Sequence, residues 1–187
     1  MKNEAWVLAF LLGACAAPEP PRGEPSFISG RVLDQETMQP IEGAYVLAGY
    51  FVGVPGAGVQ AARCVKTAGM FTGANGEYRF PVERPDNMSP SVTSAIKPDY
   101  RVRGMKGPDL YLVRQDRKDP VFLYGYGGDA FCVEAATTAD AEAGRRFLEI
   151  QREELVAYDA PEAQIRGIEI LIRLLKGIDE RPPIMAR

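Results

Sequence analysis

Near the front of the chain, apolar positions recur at every second residue. Ile28, Gly30 and Val32 alternate with Ser29, Arg31 and Leu33, which is close to the period of a half-buried strand. Asp34, Gln35, Glu36 and Thr37 interrupt the pattern and cannot sit in a core. Pro40 fixes φ and lacks an N–H, so it belongs at a turn or strand edge. Gly43 permits a tight approach or a positive φ, and Tyr45 to Ala48 restarts an apolar strand. Thr72 to Val82 repeats the design, with the hairpin dipeptide Asn75-Gly76 ahead of alternating Tyr78, Phe80 and Val82.

Further along, Val52 to Gly58 is Gly-rich and reads as a long loop. It is no phosphate loop, because no Gly-Lys-Ser/Thr follows and no helical pattern starts there. Residues 97–118 carry seven Lys or Arg against three Asp, with Tyr100 and Tyr111 interleaved. The alternation in Tyr100–Arg103 and Leu110–Val113 makes this the solvated outer face of a strand pair. Val121 to Phe131 reads as a last strand and a Gly turn. The period then changes to that of helices. Thr138 or Asp140 can cap a first helix running to about Val156, with Ala143, Phe147, Ile150 and Glu154 on one face. Asp159 is a cap for a second helix, with Pro161 in its first turn. Ile165, Ile168, Ile172 and Leu175 form its apolar stripe, Leu171 and Leu174 widen it, and Gly177 stops it. The two make an αα-hairpin that needs a partner surface, either the strands or another subunit.

The strand-rich part resembles the carboxypeptidase regulatory-like domain. The resemblance rests on Gly30, Val32, Asp34, Thr37, Pro40, Ile41, Gly43, Ala44 and Val46, then on Gly76, Tyr78 and Phe80. A weaker third piece, Ala95 to Arg101, has Pro-Asp before Tyr100 where Gly-Tyr is usual. It covers roughly residues 27–125 and implies a transthyretin-like or Ig-like antiparallel β-sandwich of about seven strands, here followed by the C-terminal αα-hairpin. It also implies accessory or binding roles, which leaves function open.

The first fifteen residues have the layout of a bacterial lipoprotein signal. Lys2 precedes a short apolar run, Trp6 to Leu12, and Leu12-Gly13-Ala14-Cys15 resembles a lipobox whose Cys15 is lipidated. The run is too short to span a bilayer. Ala16 to Pro25 has four prolines in ten residues, and the segment 16–26 reads as an extended tether. The expected order is therefore signal 1–15, tether 16–26, β-sandwich 27–130 and helical hairpin with tail 131–187. The expected location is the envelope, lipid-anchored, with Ala16 compatible with the outer membrane facing the periplasm. There Cys64 and Cys132 form a candidate disulfide.

Chemistry is limited by what the composition lacks. The chain has no His, which removes Ser-His-Asp triads, Cys-His pairs and His-ligated zinc. It also separates the chain from the catalytic metallopeptidase that carries such domains. Ser94-Ala-Ile-Lys97 matches Ser-x-x-Lys, but on a strand i and i+3 point to opposite faces. Paired carboxylates such as Glu153-Glu154 are expected to be solvated on a helix surface. A net charge of −3 gives no drive toward nucleic acid. The expected protein is no enzyme, with no cofactor and no metal. It is a structural or adaptor lipoprotein that binds another envelope protein. The alternative is a glycan- or small-ligand-binding module using residues 49–60 with Tyr50, Tyr124 and Tyr126. A carboxylate-only enzyme comes last.

Overall fold

The computed structural model describes residues 26–54, 61–82, 89–115, 132 and 137–177. Seven strands lie among them: β1 (Phe27–Asp34), β2 (Tyr45–Val54), β3 (Ala61–Phe71), β4 (Glu77–Pro81), β5 (Ser89–Ile96), β6 (Tyr100–Lys106) and β7 (Asp109–Arg114). Two helices follow, α1 (Thr138–Ala157) and α2 (Glu162–Lys176). One sheet has the order β4-β1-β7-β6 and the other β3-β2-β5. The fold is mixed, with β structure in the majority.

The expected alternation holds in β1, where Ile28 and Val32 turn to the core that the two sheets share. That core also takes Val46, Ala48, Tyr78, Phe80, Ala95, Leu110 and Leu112. The helices cover the outer side of the three-stranded sheet, with Tyr45, Leu47 and Ile96 against Phe147 and Ile150 of α1. The molecule thus has three layers: four-stranded sheet, three-stranded sheet and helix pair. β2 lies in the middle layer, so every residue from Ala44 to Tyr50 is buried.

Several expectations are corrected. The strands are not all antiparallel, because β1 pairs with β7 in parallel, Val32 opposite Leu110 and Asp34 opposite Leu112. That pairing joins segments far apart in the chain and leaves no local signature. Asn75-Gly76 does not close a hairpin, since β3 and β4 belong to different sheets. The turn is an arch between layers. It needs Gly76 at φ +69, where a Cβ would lie 2.6 Å from the Val32 carbonyl oxygen. β2 continues to Val54, beyond the expected loop start at Val52. The N-cap of α1 is Thr137, whose Oγ1 accepts from the Asp140 amide, in place of Thr138 or Asp140. Asp159 does not cap α2. It sits at φ +52 in the joint, and Pro161 takes the cap position without a side-chain bond.

The arch between β1 and β2 lies beside the arch at Gly76. Asp34 Oδ1 accepts from the amides of Glu36 and Thr37, closing an Asx turn. The Thr37 bond is the largest cause holding the Asp34 carboxyl below its usual range. Thr72, fully buried, donates to the Ile41 carbonyl and accepts from the Ala44 amide, so one hydroxyl stitches the two arches together. Asp34, Thr37, Pro40, Ile41, Gly43, Ala44 and Gly76 thus lie at or beside the crossovers between the sheets, while Gly30, Val32, Val46, Tyr78 and Phe80 lie within β1, β2 and β4.

Candidate functional surfaces

The helix layer is fixed to the sheets at three kinds of contact. Cys64 of β3 and Cys132 are joined in a disulfide, with Cα atoms 4.9 Å apart and 68 residues between them in sequence. The expected pairing is present. It lies in an apolar cluster with Ala141, Leu148, Ile172 and Leu175. Thr67, two residues from the bulge in β3, reaches into α1. Its Oγ1 donates to the Asp140 carbonyl and accepts from the Gly144 amide, both at 3.0 Å. Tyr45 crosses the face of β3 over Gly69, and its hydroxyl donates to the Ala143 carbonyl at 3.2 Å.

The third kind of contact is a buried carboxyl. Glu154 is buried at 8% exposure, against the expectation that the Glu153-Glu154 pair is solvated; only Glu153 is exposed. The spacing Phe147, Ile150, Glu154 puts it in the apolar stripe, and the turn between β5 and β6 closes over it. Burial pushes its carboxyl up to about 7, opposed by the hydrogen bond from the Asp99 amide and aided by the Asp99 charge. Glu154 Oε2 has no hydrogen-bond partner among the described residues.

The outer face of the four-stranded sheet holds an open recess of about 580 Å³. Arg31 pairs with Asp109 at 3.3 Å, and the Arg79 guanidinium lies 3.6 Å from the centre of the Phe27 ring. Glu77 balances the second arginine, so the described lining of the recess carries no net charge.

α2 presents the other surface. Only Ile172 and Leu175 of it are buried. Ile170 and Leu174 are 56% and 48% exposed and line a shallow recess of about 410 Å³ with Arg173 and Gly177. No described helix is long and apolar enough to cross a membrane.

The remaining expected residues fall elsewhere. Ser94 is buried in β5, and Lys97 follows the end of that strand. Tyr50 is wholly buried, its hydroxyl donating to the Pro81 carbonyl at 2.8 Å and Lys66 Nζ lying 4.6 Å over its ring, so it offers no surface to a glycan. Tyr124, Tyr126, Cys15 and the tether lie outside the described residues, as does the expected strand Val121–Phe131. No group of three or more Cys, Asp or Glu able to hold a metal ion lies among the described residues.

No protein-family model matches the chain, and no curated protein matches it. A solved structure that it resembles weakly is a 9R-lipoxygenase from Cyanothece PCC8801, at 11% identity and a TM-score of 0.22, covering 84% of this chain and 25% of that one. So distant a likeness carries no argument about fold or function.

Proposed function

We propose that the protein is a non-catalytic envelope lipoprotein, an adaptor that docks another envelope protein through its helix layer. The observation that carries this reading is the solvent-facing apolar side of α2, with Ile170 and Leu174 about half exposed on a helix whose opposite side is packed. The body behind it suits a passive support: two sheets on one core, with a helix pair clamped by a disulfide, a hydroxyl and a buried carboxyl. The placement of the Asp34 turn and the Gly76 arch at the crossovers supports a transthyretin-like or Ig-like sandwich of the regulatory-like kind. Cys15 within Leu12-Gly13-Ala14-Cys15, followed by the Pro-rich segment, supports the outer-membrane tether. The lack of His supports a role without catalysis.

The glycan-binding alternative loses Tyr50 to the core. A photo-crosslinking residue at Leu174 in full-length protein, expressed in a diderm bacterium, tests docking. A discrete protein adduct from Leu174, absent when the crosslinker replaces Glu77 on the opposite sheet, is the expected result. Equal or no adducts from both positions would sink the adaptor reading.

A further inference from the structure

The helix pair is clamped at one end and latched at the other. At the clamped end the Cys64–Cys132 bridge packs with Ala141 and Leu148 of α1 and with Ile172 and Leu175 of α2. Thr67 adds its bonds to the Asp140 carbonyl and the Gly144 amide there. At the other end, beside the joint of the two helices, the ties are of a different kind. The Asp99 amide donates to Glu154 Oε1, and the Tyr158 hydroxyl donates to Asp99 Oδ1, so both run through one turn residue. Arg152 Nε donates to Glu169 Oε1 at 2.8 Å, which joins α2 to this half of α1.

The latch is a carboxyl in a place that suits only its neutral form. Glu154 Oε2 is buried without a partner among the described residues, and so is Gln151 Oε1, one turn earlier on α1. Buried acceptors that lack donors favour a carboxyl that keeps its proton, because the O–H is itself a donor. The charged groups around Glu154 do not compensate an ionised form. From the β5–β6 turn Asp99 brings a second negative charge, while Lys97 sends its Nζ to Gly43. On α1, Arg152 turns to Glu169 of α2, and Glu153 is exposed, as is Asp159 in the joint. Tyr45 of β2 meets α1 at Ala143, three turns away.

We propose that Glu154 is the proton-operated latch of a flap: protonated, it holds the joint end of the helix pair on the β5–β6 turn, and ionised, it turns out to water and that end lifts about the disulfide cluster. Lifting uncovers Ile96 of β5 and Ile150 of α1, which share one apolar cluster when the flap is down. The direction follows from which form holds the proton more tightly. Burial pushes the closed carboxyl up to about 7, while in the open form it is solvated and returns towards 4.5. The latch is therefore fully set below pH 4.5 and is released as pH rises through about 7. The device needs no partner and does not depend on where the protein resides.

The test is amide hydrogen exchange of full-length protein between pH 5 and pH 8, with each rate corrected for the intrinsic effect of pH on exchange. Protection in residues 150–157 and 97–100 is expected to fall by at least about ten-fold over that range. Protection in residues 138–147, at the clamped end, is expected to hold. Glu154→Gln, which keeps an acceptor for Asp99 without the charge, should be equally protected at both pH values. Three results overturn the proposal: no loss in the wild type beyond the intrinsic effect, a loss shared equally by 138–147 and 150–157, or the same loss in Glu154→Gln. The first two are read from the wild type alone, so they hold whether or not the variant folds.

Discussion

The amide of Asp99 donates to Glu154 Oε1 at 3.1 Å, and this one bond ties the turn between β5 and β6 to the C-terminal half of α1. Asp99 holds a left-handed backbone, φ +67, and its Oδ1 accepts from the Tyr158 hydroxyl at 3.1 Å. The helix layer is thus locked to the sheets at a site where burial opposes ionisation. Glu154 is pushed up to about 7 from 4.5, so folded protein holds this proton more tightly than unfolded protein. The stability it contributes is complete below pH 4.5 and is lost as pH rises through about 7. Glu154→Gln keeps the acceptor for Asp99 and removes the charge. In urea titrations the variant is expected to gain about 1–3 kcal/mol over wild type at pH 8 and little at pH 5. A difference that does not change with pH would contradict the assignment.

Gly69→Ala should act on the same interface from the sheet side. A Cβ at Gly69 would overlap the Tyr45 ring and hydroxyl, which are held between the Ala143 carbonyl and Phe71, ring centres 4.9 Å apart. Displacing the ring is expected to cost about 1–3 kcal/mol. Tyr45→Phe removes only the hydroxyl bond and should cost about 1 kcal/mol. Thermal or urea unfolding of both variants checks the order of the two effects.

Removal of the Cys64–Cys132 bridge frees a loop with 68 residues of separation. Cys64→Ser with Cys132→Ser should lower stability by about 2–5 kcal/mol. Hydrogen exchange should rise first in α1 and α2, because their cluster with Leu148, Ile172 and Leu175 is built on the bridge. Uniform loss of protection across both sheets would show instead that the bridge serves the whole body.

How far the residues alone reveal this molecule depends on what each segment touches. Ile28 to Val32 reads correctly because a half-buried strand writes its own period. Ala44 to Tyr50 is an uninterrupted apolar run, the mark of a strand covered on both faces. Its second cover, α1, arrives about a hundred residues later, so the run does not say what covers it. Asn75-Gly76 announces a turn in local backbone terms but not which sheet the next strand joins. Glu154 stands in the apolar stripe by spacing, yet a carboxyl there is buried only if a remote turn closes over it. Tyr50 looks like a loop aromatic until β2 is seen to run on to Val54. The spacing in α2 sets Leu174 beside the packed stripe of Ile165, Ile168, Ile172 and Leu175, yet Leu174 is about half exposed, because how α2 leans on α1 decides which apolar residues face out.

Gly167→Ala tests how open the outward side of α2 is. The substitution meets open space, so the protein should gain about 0.5–1 kcal/mol from helix propensity. An unchanged or lower midpoint in urea unfolding would contradict the open surface at this position.

The most direct test of the membrane-tethered adaptor is the intact mass and fractionation of full-length protein from a diderm bacterium, beside Cys15→Ser. The wild type is expected to lose the residues before Cys15, gain a diacylglyceryl mass and enter the outer-membrane fraction, while Cys15→Ser does none of these. Wild type and Cys15→Ser that are both soluble and unmodified would contradict the anchor. The envelope location would then fall with it.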